Sequence, residues 1–506
     1  MSNFYTYPNI LRKCQTVPYP IVGATREQLV SEVNCERTVN FYQIDDDEAK
    51  QPIALQAMPG IKTVCTLGSD ILAGGRGSLD LGDFSYVVYG NKFYRLDSNL
   101  NPTVLGNNLS TDSGPVRFSN NQNQIMFVDG VDGYLWNFTT QTGLFPVPRI
   151  DTSKYFPEQP IDITNYNGYF SVTQGESNSI SYSALNDGTV WEDTTHVAQT
   201  FEITFKPDQC MAIKVVNGRM FIFGGIICEQ WIDDPVGLQV FSRVNNMCFE
   251  YGTPATASVT EDFGRLCFIS SNKNGYEGVR MSDGGEPILI SDPPLDRILK
   301  EYEQQFGIDD AVGEIYKESG HLFYEISFTK ANHTWVGDLT YFPQKPVRWV
   351  EREMQDESRF VGQNYFNFNG KNYVLDYKTN KLYEMSSNFY DYDGAVFRRM
   401  RVGRPFTREN QKLFRVSRFR IDMVTGVGTQ NGEDQDPQVF LSISRDGGVT
   451  YGNTLKASSG KVGNRTAQVK FFKLGSQQEW VPRLEFYASI PTTVIGAFIT
   501  YDELER

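Results

Sequence analysis

The sequence predicts an all-β protein: a six- to seven-bladed β-propeller with a smaller C-terminal β-sandwich-like domain and one short helix. Three observations carry that prediction. A turn glycine recurs at blade-length intervals, aromatic and β-branched runs alternate on either side of it, and only one stretch shows helical periodicity.

The recurring unit is a polar or turn residue, a glycine, and then an alternating apolar strand. It occurs at Tyr89-Gly90, Asp132-Gly133, Asn167-Gly168, Asn217-Gly218, Phe263-Gly264, Ser319-Gly320 and Asn369-Gly370. Gly90 and Gly370 bound six intervals with a mean of about 47 residues, the length of a four-stranded blade. A two-residue hairpin that matches strand twist needs positive φ at both central positions, and Asn and Gly tolerate that cheaply. Each glycine is therefore expected to mark one hairpin, and residues 58–395 to form the propeller. Stacked sandwiches would carry similar turns, since the intervals range from 35 to 56 residues. A ring is favoured because it buries every blade face and leaves only short edges.

The helix is predicted from about Pro294 through Phe306. Leu295, Ile298, Leu299 and Tyr302 fall at i, i+3, i+4 and i+7, Asp292 can cap the start, and Gly307 can end it. Beyond residue 396 the chain returns to short strands at Val439 to Ile443, Ala467 to Phe472, Arg483 to Tyr487 and Val494 to Tyr501. These predict a β-sandwich over 396–506, and residues 1–57 are expected to form an N-terminal docking segment.

A length of 506 residues allows about three domains at ~150 residues each. Hydrophobic residues at 40% and aromatics at 13% supply a sizeable core, which excludes wholesale disorder. With 47 Lys and Arg against 61 Asp and Glu the net charge is −14, which argues against a protein that coats nucleic acid. The N-terminus lacks the basic start and apolar run of a secretory signal, and no segment reaches the ~18 apolar residues of a membrane span. A soluble protein without membrane insertion is expected. Seven cysteines with no CxxC pair give no zinc ribbon and no disulfide framework, so folding in a reducing compartment is expected. Cys210, Cys228, Cys248 and Cys267 recur about every 19 residues among apolar neighbours and are expected as small core residues.

Signatures of chemistry are sparse. GxGxxG opening a helix, GxxxxGK[ST], HExxH and GxSxG are all absent from the sequence. His196, His321 and His333 are the only histidines and are expected as ordinary surface or strand residues. Among 61 carboxylates nothing in the linear sequence selects a glycosidase-like pair. The run Asp45-Asp46-Asp47-Glu48 lacks the spaced ligands and turn glycine of a cation loop and reads as solvated. No catalytic residue, cofactor or metal is expected, and the chain is not expected to be an enzyme.

Two local features stand out. Ser444-Arg445-Asp446-Gly447-Gly448-Val449-Thr450-Tyr451 resembles the Asp-box of sialidases and related propellers, with Tyr451 in place of the usual Trp. That box is a structural turn whose aspartate caps backbone amides, which assigns a structural role to Ser444, Asp446, Gly448 and Tyr451. The second feature is basic: Arg398, Arg399, Arg401, Arg404, Arg408, Lys412, Arg415, Arg418 and Arg420 are opposed only by Glu409. This local excess of eight positive charges leaves −22 on the remainder. It predicts a basic face that docks on an acidic protein ring or meets phosphate; outward arginines whose stems cover apolar surface are the alternative.

Several segments, taken in order, are similar to the packaged-DNA stabilisation proteins (tail hub or nozzle proteins) of short-tailed bacteriophages, the podoviruses. They are Val39-Asn40-Phe41-Tyr42 and Met58-Pro59-Gly60-Ile61-Lys62; Val216 through Gly225 with Glu229-Gln230-Trp231; and Pro287 through Ser291 leading into the helix. Gly320 through Tyr324, Arg348-Trp349 and Leu441 through Gly452 follow. Each motif is short, and their colinear order gives the resemblance its weight. The resemblance implies a structural virion protein made in the host bacterial cytoplasm, with six copies ringed beneath the portal and its adaptor ring. Such a ring extends the DNA channel, retains the packaged genome, supports tail fibres or spikes and seats the plug or needle. Double-stranded DNA passes its lumen without sequence-specific binding, for which an acidic wall is favourable. The other readings are a propeller-type receptor-binding protein and a carbohydrate-active tail protein.

Overall fold

The computed structural model describes residues 14–30, 33–46, 52–69, 74–146, 156–192, 199–234, 239–430 and 432–504. The chain forms two compact units. One comprises Pro59–Trp349 with Asp356–Phe389, the other Met1–Met58, Val350–Gln355 and Tyr390–Arg506.

The first unit is a seven-bladed propeller of four-stranded antiparallel sheets. In blade 1 the strands are Gly75–Asp80, Ser85–Tyr89, Lys92–Leu96 and Pro102–Asn107, and blade 2 starts at Arg117–Asn120. Blades 3 to 6 begin at Pro160–Tyr166, Ala212–Val216, Thr260–Asp262 and Val312–Glu318. Blade 7 takes Gly362–Phe368, Lys371–Asp376 and Lys381–Ser386 from the late chain and its fourth strand, Gly60–Thr66, from the early chain. Gly60 pairs with Ser386 and Thr66 with Lys381. Joining an early strand to late ones closes the ring.

Each of the seven glycines falls in a different blade. Asn217-Gly218 and Asn369-Gly370 are two-residue loops with both φ values positive, as the pairing Val216↔Arg219 and Phe368↔Lys371 requires. Gly133 departs from expectation. It opens a strand, and the turn before it is made at Gly130, φ +88. Glycine is needed at 133 for space, since a Cβ there would lie 2.2 Å from the Phe156 ring.

Aromatic clusters fill the spaces between neighbouring blades. Tyr86 and Phe93 of blade 1 meet Phe127 and Tyr134 of blade 2, with Phe93 and Phe127 centroids 4.9 Å apart. Burying one such ring contributes about 1.5–3 kcal/mol. The helix runs from Pro293 to Gln305, and the Asp292 carboxylate accepts the Leu295 N–H at 3.2 Å. Leu295 and Leu299 enter the core between blades 5 and 6, and Gly307 follows at φ +79. Cys210, Cys228 and Cys267 are buried as expected, whereas Cys248 is only half-buried.

The second unit is a two-sheet β-sandwich. One sheet joins Phe41–Asp45, Ile53–Ala57, Thr493–Glu503, Phe414–Met423 and Val469–Gln477, with Cys14–Tyr19 also on Thr493–Glu503. The other joins Arg37–Val39, Arg399–Val402, Glu479–Phe486, Gln438–Ser444 and Leu455–Ser458. Phe41, Leu55, Phe419, Trp480 and Ile499 form its core. The expected separate segment 1–57 is thus corrected: its described strands belong to both sheets of the sandwich. Their inward residues Tyr19, Phe41 and Leu55 are buried in the sandwich core.

Candidate functional site: the propeller channel and the arginine segment

The first strands of all seven blades line an axial cavity of about 680 Å³. Its charged wall residues are Asp80, Arg117, Lys214, Glu261, Asp262 and Glu314, and Asp162 lies behind Arg117 and Lys214. Asp162 is fully buried and holds a network together. It accepts from Lys214 Nζ at 2.7 and 2.9 Å, from Arg117 Nε at 3.2 Å, and from the Ile213 and Ile163 amides at 3.0 Å. Arg117 also donates to the Val259 carbonyl at 2.6 Å. One carboxylate thereby links the inner strands of blades 2, 3 and 4.

Burial disfavours the Asp162 charge, but Lys214 and Arg117 outweigh it and hold the carboxyl below its ordinary range. Burial draws Lys214 down to about 8 against the pull of Asp162. Glu314 accepts the Asn364 amide at 3.0 Å and the Tyr365 amide at 3.4 Å, yet burial raises its carboxyl to about 7. Burial and the neighbouring Asp262 raise Glu261 to about 7 as well. Burial thus shifts Glu261 and Glu314 up and Lys214 down, each toward its neutral form. Among the described residues no cluster of three or more His, Cys, Asp or Glu is arranged to hold a metal ion.

The arginine segment lies in the sandwich, and the structure corrects its reading as one exposed basic face. Arg399 and Arg401 have no exposed surface. Arg401 donates to the Ile21 carbonyl at 2.6 Å, the Ala24 carbonyl at 3.0 Å and the Thr38 hydroxyl at 2.8 Å, and it pairs with Glu36. Arg399 donates to the Ala488 and Tyr390 carbonyls at 2.8 Å and stacks on Phe397. Arg398 pairs with Glu353 at 2.7 Å and Glu485 at 3.4 Å. Arg408 meets Glu503 at 2.8 Å, Arg415 meets Asp502 at 2.5 Å, and Arg420 meets Asp422 at 2.9 Å. Arg418 donates to the Thr500 hydroxyl at 3.2 Å, while Arg404 keeps 56% of its side chain exposed. Arg398, Arg401, Arg408 and Arg415 are thus matched by carboxylates distant in sequence, which offsets the cost of taking their charge out of water.

Ser444 through Tyr451 make a hydrogen-bonded turn. Asp446 accepts the Thr450 amide at 2.9 Å, Ser444 accepts the Gly448 amide at 2.8 Å, and Gly448 has φ +94. Bonds from Ser444 and Thr450 hold the exposed Asp446 carboxyl down to about 2. Tyr451 lies against the Arg483 guanidinium, 4.2 Å from its ring centroid. His321 bonds Asp338 at 2.8 Å. His196, Asp47 and Glu48 lie outside the described residues.

The channel residues went unrecognised in the linear sequence because they are spread, one or two at a time, over separate strands. A usable signal exists: Asp162, Lys214, Glu261 and Glu314 are charges on the strand that leads into a marker glycine.

Residues 23–390 match the family described as "Bacteriophage P22 Gp10, beta-propeller", and residues 399–502 match "Bacteriophage P22 Gp10, beta-sandwich". No curated protein matches the chain. Among solved structures, virginiamycin B lyase from Staphylococcus aureus is similar at TM-score 0.40 and 11% identity, over 65% of this chain and 99% of that one. The Cps50 (Swd1) propeller domain of Myceliophteria thermophila gives 0.38 and 9%, over 64% and 99%. The N-terminal domain of Nup159 gives 0.38 and 9%, over 69% and 98%. The two family matches cover both units, and the chain belongs to the phage P22 Gp10 family of packaged-DNA stabilisation proteins, structural components of the virion.

Proposed function

We propose that this chain is the tail hub, or nozzle, subunit of a short-tailed phage. In this reading six copies form a ring below the portal and adaptor rings, extend the DNA channel and retain the packaged genome. The ring also carries the tail fibres or spikes and seats the plug or needle. The family match over both units is the observation that carries the reading. Charge distribution supports it. The propeller unit contains 24 basic and 39 acidic residues, a net −15, whereas the sandwich unit has 23 and 22. A wall built from such propellers repels phosphate and lets DNA slide. Docking to an adaptor through the arginine segment draws on fewer residues than the sequence suggested, with Arg404 the most exposed of them.

The test is nuclease-protected DNA in particles assembled with and without this protein, imaged in parallel. Capsids that fill and then leak without it support retention, and a sixfold ring at the vertex supports the hub. Protected DNA with failed adsorption would make it a peripheral receptor-binding component, and turnover on a glycan panel would make it an enzyme.

A further inference from the structure

The outer face of one sandwich sheet carries a mixed basic and aromatic surface. Strand Phe414–Met423 points Phe419 and Ile421 into the core and places Arg418 and Arg420 on the opposite face. Across the register, Arg420 sits beside Lys470 and Arg418 beside Phe472 on strand Val469–Gln477, and on the other side Arg420 neighbours Phe498. The Arg420 guanidinium lies 4.4 Å from the Phe498 ring centroid. Phe472 is 58% exposed, a large ring to leave in water at a sheet edge. From Asp446 to Glu479 the chain has no intervening acidic residue but contains Lys456, Lys461, Arg465, Lys470 and Lys473. Arg399 and Arg401 are buried and Arg398 is ion-paired, whereas Lys456, Lys461, Arg465 and Lys473 are exposed.

We propose that this sheet face, centred on Arg418, Arg420, Lys470 and Phe472, docks the acidic propeller unit of a second copy of the chain. Arginine and exposed aromatics together are the composition of protein interfaces. Asp422 and Asp502 already neutralise part of the face, which weakens a phosphate grip, and a chain of net −14 repels nucleic acid. The −15 propeller provides the complementary charge in every copy. Contact between a basic face and a different, acidic surface is heterologous, the kind that closes into rings. The inference rests on the ring proposed above and names the surface that builds it.

The test uses filled, tail-less capsids completed with an equal mixture of light and isotopically heavy chain, then treated with a carbodiimide cross-linker. Mixed-isotope peptides joining Lys470 or Lys473 to an Asp or Glu within 59–349 or 356–389 are expected. The pair K470E/F472S, both on the outer face, should lower incorporation at least tenfold while melting like the native chain. A ring of normal copy number without those links, or links from these lysines to another virion protein, overturns this inference and leaves the hub reading standing. Particles with no ring overturn both.

Discussion

Arg401→Met removes a fully buried charge of the sandwich while keeping much of its volume. Four partners lose a donor: the carbonyls of Ile21 and Ala24, the Thr38 hydroxyl and the Glu36 carboxylate, whose side chain is only 4% exposed. Leaving one member of a buried ion pair uncompensated costs about 3–5 kcal/mol. The orphaned neutral acceptors add to that cost, though not additively. For a unit of this size each kcal/mol moves the midpoint by about 2–4 °C, so the sandwich transition should fall by about 6–20 °C. Calorimetry of the full chain reads the shift, with Arg404→Met, a largely exposed arginine, as the control that barely moves. Arg401→Met combined with Glu36→Gln removes the stranded charge and should recover part of the loss. An Arg401→Met chain melting within about 2 °C of the native one would refute the reasoning that this residue is a buried structural cation. For the same reason, glutamate substitutions at Arg399 or Arg401 read stability and not docking.

Further expectations concern the propeller and the turns. Glu314 holds its proton more tightly folded, at about 7, than unfolded, at 4.5, so its contribution is greatest at low pH and is lost as pH rises from about 4.5 to 7. Urea midpoints at pH 5 and pH 8 should converge in Glu314→Gln, and an unchanged pH slope would count against the buried carboxyl. Asp162→Ala strands Lys214 and Arg117 beside each other and should cost the propeller about 3–5 kcal/mol in urea unfolding, whereas a loss under 1 would contradict the network. Asp292→Ala removes the helix cap and should cost about 1 kcal/mol by the same assay, with Asp292→Asn largely retaining it.

What the sequence determined on its own was local. Asn217-Gly218 and Asn369-Gly370 specify hairpins through their own φ preferences, and Asp292, Leu295, Leu299 and Gly307 specify one helix through capping and a 3.6-residue period. The Asp-box turn is legible for the same reason, since Asp446 caps an amide only four residues away. Spacing along the chain placed the blades, because hairpin signals act over a few residues and repeat. Partners distant in sequence were decided only in three dimensions. Gly60–Thr66 closes blade 7 from more than 300 residues away, and Cys14–Tyr19 pairs with the last strand. Arg401 finds Glu36, and Asp162 of blade 3 gathers Arg117 from blade 2 and Lys214 from blade 4. A charge carries no local signature of whether it will be solvated or paired. That depends on which carboxylate the fold brings within about 3 Å and how much water it excludes, and both are properties of packing.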